Sequence, residues 1–286
     1  MKGIILAGGT GSRLFPATIA VSKQLIPIFD KPMIYYPLSV LLEAGIREVL
    51  IITTPEDKSA FELLLGDGQL LGGTFSYAVQ EEPKGIAEAF TIGASFIGKD
   101  PVCLILGDNL FYGASFIEVF KTKIKEGVPA IFALAVEHPS RYGVVNFDAD
   151  GRAIGIEEKP QEPKSNFAVP GLYIYDSSVV ELAKRINPSA RGEKEITTIH
   201  STYLEQGRLT VELLSDDVVW MDAGTPSSFA LAHDFIKEQE LRSGKKIACL
   251  EEIAYTNGYI SKELLQKSID RMGSSAYGTY LKQLLQ

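Results

Sequence analysis

Along the first hundred residues, short unbroken apolar runs alternate with stretches of helical spacing. Gly3-Ile-Ile-Leu-Ala-Gly8 has no polar interruption, which predicts a strand buried on both faces. Met33 to Ala44 reads as a helix closed by Gly45. Glu48 to Thr54 predicts a second strand, and Glu56 to Leu65 a helix ended by Gly66. Phe75 to Gln80 predicts a strand, and Ile86 to Ile97 a helix stopped by Gly98. Val102 to Leu106 is a further apolar strand, running into Gly107-Asp108-Asn109. Such alternation predicts a doubly wound parallel sheet.

The rhythm then changes. Tyr142 to Phe147 and Ala153 to Glu158 flank Asp148-Ala-Asp-Gly151, the composition of a hairpin turn. Phe167 to Tyr175 reads as one strand, followed by a helix over Ser178 to Ile186. Leu209 to Leu214 and Val218 to Met221 read as strands, and the pattern is helical from Ser227 to the end. The fold expected is α/β: a Rossmann-like doubly wound mixed sheet with inserted β-hairpin elements. Residues 1–241 form its main domain and residues 242–286 a C-terminal helical appendage, docked through Leu281, Leu284 and Leu285.

Composition narrows the function classes. At 286 residues the chain buries roughly three quarters of its unfolded surface and needs no disulfide or metal staple. Its two cysteines, Cys103 and Cys249, show neither metal nor redox spacing, and a reducing cytoplasmic compartment fits. Met1-Lys2 leads directly into the first strand, so no leader is expected, and no run approaches the ~20 apolar residues of a membrane span. A net charge of −8 argues against a nucleic-acid surface. It leaves room for a small anionic ligand, because a few local cations can dominate a cleft.

The candidate chemistry begins where the first strand ends, in Leu6-Ala-Gly-Gly-Thr-Gly-Ser-Arg-Leu-Phe-Pro16, continuing to Lys23 and Pro27. Glycines there let a backbone approach a ligand closely and turn N–H groups onto phosphate oxygens. Two familiar loops fail on spacing. A dinucleotide fingerprint needs a glycine where Leu14 stands, and a Walker A loop needs Gly-Lys-Ser/Thr where Ser12-Arg13-Leu14 stands. This is a phosphate loop of another kind, with Arg13 and Lys23 as its cations.

The run Gly8, Gly9, Thr10, Gly11, Ser12, Arg13, Pro16, Lys23, Pro27 resembles the N-terminal signature of the sugar-phosphate nucleotidylyltransferases, and within them the thymidylyltransferase branch. The likeness recurs at Gln80, at Pro83 with Gly85, and at Leu106-Gly-Asp-Asn-Leu-Phe-Tyr-Gly113. It continues in Arg141-Tyr-Gly-Val-Val145, Glu157-Glu-Lys-Pro160, Pro163-Lys-Ser-Asn166, Pro188-Ser-Ala-Arg-Gly192, Tyr203-Leu-Glu-Gln-Gly-Arg208 and Trp220-Met-Asp-Ala-Gly-Thr225.

The resemblance implies a reaction between dTTP and glucose 1-phosphate, giving dTDP-glucose and pyrophosphate as the first step of dTDP-rhamnose-type biosynthesis. Such transfer asks mainly for positioning and charge neutralisation. The implied catalytic set is Arg13, Lys23, Asp108, Lys159 and Asp222. Arg13 would grip the leaving end of the triphosphate, where a guanidinium holds two oxygens. Lys23 would reach the phosphates near the reacting centre, and Lys159 the sugar phosphate. Asp108 and Asp222 would hold Mg²⁺, a hard cation that takes one or two carboxylates plus phosphate oxygens and water.

By the same resemblance the nucleotide lies against Leu6, Ala7, Gly8, Gly9, Thr10, Gly11, Ser12, Arg13, Gln24, Gln80, Pro83, Gly85 and Asp108, with Gln80 and Gly85 at the base. The sugar phosphate falls to Lys23, Asn109, Tyr142, Gly143, Glu158, Lys159, Val169, Gly171 and Trp220. His138, His200 and His233 show no ligand spacing and read as structural. The family is generally a homotetramer. Uridylyl transfer on the same fold is the alternative chemistry.

Some positions depart from the thymidylyltransferase pattern. Thr198 and His200 stand where Asp and Asn are common, and Ala223 and Pro226 replace a frequent Thr and His. Glu81-Glu82-Pro83-Lys84 is more charged than usual. The resemblance also implies a second site for an end product, dTDP-rhamnose, partly built from the appendage. Tyr112, Gly113, Lys246 and Glu252 persist there. Asp216 and Thr256 stand where arginine is common, and Ile117 where histidine is, so weakened feedback is expected.

Overall fold

The computed structural model describes residues 1–286. The first half contains β1 (Lys2–Leu6), β2 (Pro27–Ile28), β3 (Lys31–Pro32), α1 (Tyr35–Glu43), β4 (Glu48–Thr53), α2 (Lys58–Leu65), β5 (Thr74–Val79), α3 (Glu88–Ile92), α4 (Ala94–Ile97), β6 (Val102–Leu106), β7 (Asn109–Tyr112), α5 (Ala114–Glu126) and β8 (Ala130–Ala135). The second contains β9 (Gly143–Phe147), β10 (Ala153–Glu158), β11 (Phe167–Val169), β12 (Leu172–Tyr175), α6 (Val179–Arg185), α7 (Ile196–Glu205), β13 (Thr210–Leu213), β14 (Val219–Asp222), α8 (Pro226–Ser243), α9 (Leu250–Thr256), α10 (Lys262–Met272) and α11 (Ala276–Gln283).

Ten strands share one mixed sheet in the order β10-β9-β11-β8-β12-β6-β1-β4-β5, with β13 alongside β8. β1 lies parallel between β4 and β6, so the chain first winds one way from β1 and then returns to its other side. That reversal creates a crevice at the carboxyl ends of β1 and β6, where open α/β sheets bind ligands. The strands Ile4, Ile5, Ile51, Ile52, Leu104 and Ile105 are wholly buried, which explains their uninterrupted apolar reading. Beyond β6 the sheet becomes mixed: β12 runs against β6 and β8, β9 pairs β10 as the expected hairpin, and β13 lies parallel to β8.

Two elements differ from the pattern reading. The helix expected over Ile86 to Ile97 breaks at Gly93 into α3 and α4. A Cβ there would lie 3.0 Å from Ile4 and 3.1 Å from the Ala89 carbonyl, so glycine eases the close approach of the segment to the sheet. The strand expected over Phe167 to Tyr175 is two strands, β11 and β12, separated by Pro170-Gly171. The kink lets β11 pair β9 while β12 pairs β6. The pattern gave no assignment to α5, β8 or α7, although Phe116, Phe120, Phe132 and Ile199 bury their side chains in the two main core clusters.

From Pro226 the chain is helical. Thr225 and Ser228 form a reciprocal cap on α8 with Pro226 in its first turn, and Gly244 closes it in the left-handed conformation. Leu250, Leu265, Ile269 and Leu281 of α9 to α11 join the same core cluster as Leu38, Leu41 and Ile51. Each such side chain contributes roughly 1.5–3 kcal/mol on burial. A buried charge network ties this region to the β2–β3 hairpin. The Lys31 ammonium meets Glu240 at 2.7 Å, and Glu240 accepts the Ile247 backbone N–H at 2.9 Å. No helix is long and apolar enough to cross a membrane.

Candidate active site

Leu6 and Leu106 are register partners at the ends of β1 and β6, so the glycine loop and Gly107-Asp108 emerge side by side. The Gly107 N–H donates to the Leu6 carbonyl at 2.9 Å. Gly9 and Gly11 take φ of 103° and 59°, which a side chain would resist. The Thr18 hydroxyl closes the loop by donating to the Gly11 carbonyl at 2.8 Å. At Gly8 the space of a side chain belongs to Gln80: a Cβ would lie 2.9 Å from Gln80 Oε1. Gln80 follows β5 and is anchored by its N–H on Thr53. Gly85 packs so closely on Lys194 that a Cβ would lie 2.5 Å from its carbonyl.

Charges converge at the mouth of this loop. Lys23 ion-pairs with the Asp108 carboxylate, whose other oxygen accepts from Asn109 Nδ2 at 3.0 Å. Burial alone would raise the Asp108 carboxyl, but the Lys23 charge and the hydrogen bonds from Lys23 and Asn109 outweigh it and hold it below the usual range. Asp222 arrives on a separate two-stranded ribbon. β14 pairs antiparallel with β7, setting Asp222 opposite Asn109, and the Ala223 N–H donates to the Asp108 carbonyl at 3.1 Å. Asp222 Oδ1 is buried with no partner. Burial, then the neighbouring Asp108 charge, raise the Asp222 carboxyl against the opposing pull of Arg13, Lys23 and Arg141. Arg13 lies across the bare Gly224 backbone, where a Cβ would come within 2.7 Å of its Nη2. Two crowded carboxylates, one with a buried unpartnered oxygen, are a donor set that fits a hard divalent cation.

Beside this centre a cavity of about 470 Å³ opens between the sheet, the β9–β10 hairpin and α7. Arg13, Asp108, Asn109, Tyr142, Gly143, Glu158, Lys159, Val169, Gly171, Trp220 and Asp222 all line it. Asn109 organises one wall: its Oδ1 accepts from the Gly171 N–H at 2.9 Å and from Trp220 Nε1 at 2.7 Å. The Tyr142 ring stands edge-on to Trp220 at 4.8 Å. Gly171 cannot carry a side chain, because a Cβ would fall 2.5 Å from Leu106. Lys159 has a φ of 45°, a left-handed backbone conformation that non-glycine residues adopt uncommonly, as Phe29 and Ala248 also do in this chain. Its N–H donates to the Tyr142 carbonyl at 3.0 Å, and its ammonium lies 3.5 Å from Glu158.

The expected residues therefore fall into two adjoining groups. Leu6, Ala7, Gly8 to Ser12, Gln80 and Gly85 form the loop side, and the Tyr142–Trp220 group forms the cavity, with Arg13, Lys23, Asp108 and Asp222 between them. Lys23 itself does not line the cavity; its ammonium is taken up by Asp108. Gln24 is buried away from the cavity, accepting from Ser22 Oγ at 2.8 Å, and Pro83 is exposed between Glu82 and Lys84.

Other residues join the site that received no role from the sequence. Arg141 lines the cavity 3.8 Å from Asp222, and Arg191 reaches Glu158 at 3.3 Å. Both lie in stretches that carry the family likeness, at Arg141-Tyr-Gly and Ala190-Arg191-Gly192. Tyr173 and His200 also line the cavity, although nothing in local sequence marks them. Among the departures, Thr198 is exposed outside the cavity, Ala223 is core, and Pro226 opens α8. A second cleft of about 630 Å³ lies between α1, α5 and α9, with Tyr112, Gly113, Ile117, Lys246, Glu252 and Thr256 on its walls. Asp216 is not among its lining residues.

The sequence profile of the nucleotidyl transferase family matches residues 2–239. The chain belongs to that family. A glucose-1-phosphate thymidylyltransferase of Neisseria meningitidis is 53% identical over 286 residues, spanning 100% of this chain and 99% of that protein. One from Mycobacterium tuberculosis is 51% identical over 100% of this chain and 99% of its own length. Among solved structures, a Bacillus anthracis chain named for the same transferase, in complex with sucrose, superposes with a TM-score of 0.76. It is 42% identical, over 82% of this chain and 94% of that one. A UDP-glucose pyrophosphorylase complexed with UDP-glucose gives a TM-score of 0.73 at 26% identity, over 83% and 98% of the two chains. Solved chains named for a thymidylyltransferase and for a UDP-glucose pyrophosphorylase thus share this fold.

Proposed function

We propose that the protein transfers the thymidylyl group of dTTP to α-D-glucose 1-phosphate, giving dTDP-glucose and pyrophosphate. The observation that carries this is the convergence of Arg13, Lys23, Asp108 and Asp222 between a glycine loop and a sugar-sized cavity. Full-length identity to glucose-1-phosphate thymidylyltransferases supports the choice of substrates.

A sugar-phosphate oxygen attacks the α-phosphorus, one P–O bond forms, and the bond to the β-phosphate bridge breaks as pyrophosphate leaves. The attacking oxygen is already anionic, so the step asks for charge neutralisation and alignment and needs no general base. Arg13 holds the leaving phosphates, Lys23 turns from Asp108 toward the reacting phosphates, and Lys159, with Arg191 nearby, holds the sugar phosphate. Asp108 and Asp222 would hold Mg²⁺, which supplies electrostatic stabilisation of the phosphate oxygens when bound. Gln80 and Gly85 face the base. Glu158, Tyr142 and the Gly143 and Gly171 backbone face the sugar hydroxyls, and a site built to hydrogen-bond those hydroxyls rejects analogues that lack them.

The catalytic unit is residues 1–241, and residues 242–286 serve packing and assembly into a homotetramer. The reaction belongs in the cytoplasm, at the head of a dTDP-deoxysugar route such as that to dTDP-rhamnose. The test is pyrophosphate release by the purified protein with glucose 1-phosphate and either dTTP or UTP. Release with neither nucleotide overturns the reading, and a large preference for UTP replaces it with uridylyl transfer.

A further inference from the structure

A glutamine turned end for end exchanges a donor for an acceptor, so the orientation of Gln80 decides what a base would meet. Its surroundings settle that orientation. Gln80 Nε2 donates to Glu88 Oε2 at 2.7 Å and lies 3.4 Å from the Gly85 carbonyl. Both partners are acceptors. A carboxylate has no hydrogen to offer, so the reversed amide would set its oxygen against two acceptors, one of them charged. Gln80 Oε1 therefore points the other way, onto the glycine loop, where a Cβ on Gly8 would lie 2.9 Å from it. Both side-chain hydrogen bonds of Gln80 come from Nε2, which leaves Oε1 as a free acceptor at the loop. The arrangement is stiff. Gln80 is only 6% exposed, and Glu88 opens α3, whose next two residues, Ala89 and Phe90, are wholly buried.

We propose that Glu88 is a positioning residue for base selection: it locks the Gln80 amide so that an acceptor meets the edge of the nucleobase. The matching base carries hydrogen on that ring nitrogen, as N3 of thymine and uracil does. Cytosine has a lone pair at N3, so an acceptor would face an acceptor, and reversal of the amide is blocked by the Glu88 carboxylate. The selection is thus against cytosine nucleotides and neutral between thymine and uracil, whose N3–H groups are alike. This inference rests on Gln80 facing the base, and it adds what holds Gln80 and which nucleotides are rejected.

The experiment measures kcat/KM for dTTP and dCTP, at saturating glucose 1-phosphate, in the wild type, Glu88→Gln and Gln80→Ala. The amide in Glu88→Gln can turn to suit either orientation of Gln80. The expected result is a dTTP-to-dCTP preference narrowed at least about tenfold, the worth of a charge-assisted hydrogen bond, through a lower KM for dCTP. Glu88→Ala removes the carboxylate by a different route and should narrow the preference in the same sense. Thermal unfolding of both variants separates this from a general loss of structure. If Gln80→Ala collapses the preference while neither Glu88 variant changes it, Glu88 does not set the amide. If Gln80→Ala also leaves the preference intact, the base-facing reading of Gln80 fails with it.

Discussion

His200 offers a test of the packing beside the cavity. It stands on α7 with its ring 4.9 Å from that of Tyr173 and 6.1 Å from that of Tyr175, and it is wholly buried. Nδ1 is paired with the Tyr175 hydroxyl, while Nε2 has no partner. Burial disfavours the charged imidazolium and takes the ring from 6.5 down to about 3. The unfolded chain therefore binds a proton near pH 6.5 that the folded chain refuses until about pH 3. Stability falls as pH drops through that window and is unaffected above it. Between pH 7 and pH 5 the unfolded histidine gains protonation worth a factor of about 25 in the equilibrium, or ~2 kcal/mol. His200→Asn keeps a side chain that can pair with Tyr175 and removes the titration. Reversible urea unfolding at the two pH values should show the wild type losing ~2 kcal/mol more than the variant. Equal losses, within about 0.5 kcal/mol, would mean that the ring titrates near its ordinary value and that water reaches Nε2, refuting burial as the control on this ring.

Asp108→Asn and Asp222→Asn should each cut turnover at least about 10²-fold, as losing a transition-state electrostatic contact does, with thermal unfolding preserved. Near-normal turnover in Asp108→Asn removes the metal assignment. Lys159→Ala should impair use of glucose 1-phosphate more than of dTTP, and Arg13→Ala the reverse. Indistinguishable kcat/KM losses for the two substrates would argue against separate phosphate sites. Inhibition by dTDP-rhamnose should be weak or absent, because Lys246 in the second cleft is already engaged by Asp30 and Glu240, and Thr256 offers no charge there. Tight inhibition that does not compete with glucose 1-phosphate would contradict this.

Much of the fold was legible because its causes are local. A strand buried on both faces must be apolar throughout, so β1, β4 and β6 stood out from their neighbours. The glycine loop was legible for the same reason: the positive φ at Gly9 and Gly11 is a need that glycine meets best, and the missing side chain at Gly8 leaves its space to Gln80. Arg13, Lys23, Asp108, Lys159 and Asp222 were recognisable through motif likeness, and four of the five line one cavity. What local pattern could not contain was any relation across the sheet. The break at Gly93 answers to Ile4, and the kink at Pro170-Gly171 answers to Leu106 and to the change of partner strand. Arg141 and Arg191 join the site only when the chain is folded. By itself the sequence determined the strands β1, β4, β5 and β6, the phosphate loop and the chemical kinds of side chain available. Only the tertiary structure decided that Asp222 crowds Asp108, that Glu88 orients Gln80 and that His200 is buried. These depend on the spacing and dielectric between groups far apart in the chain, and only packing sets those.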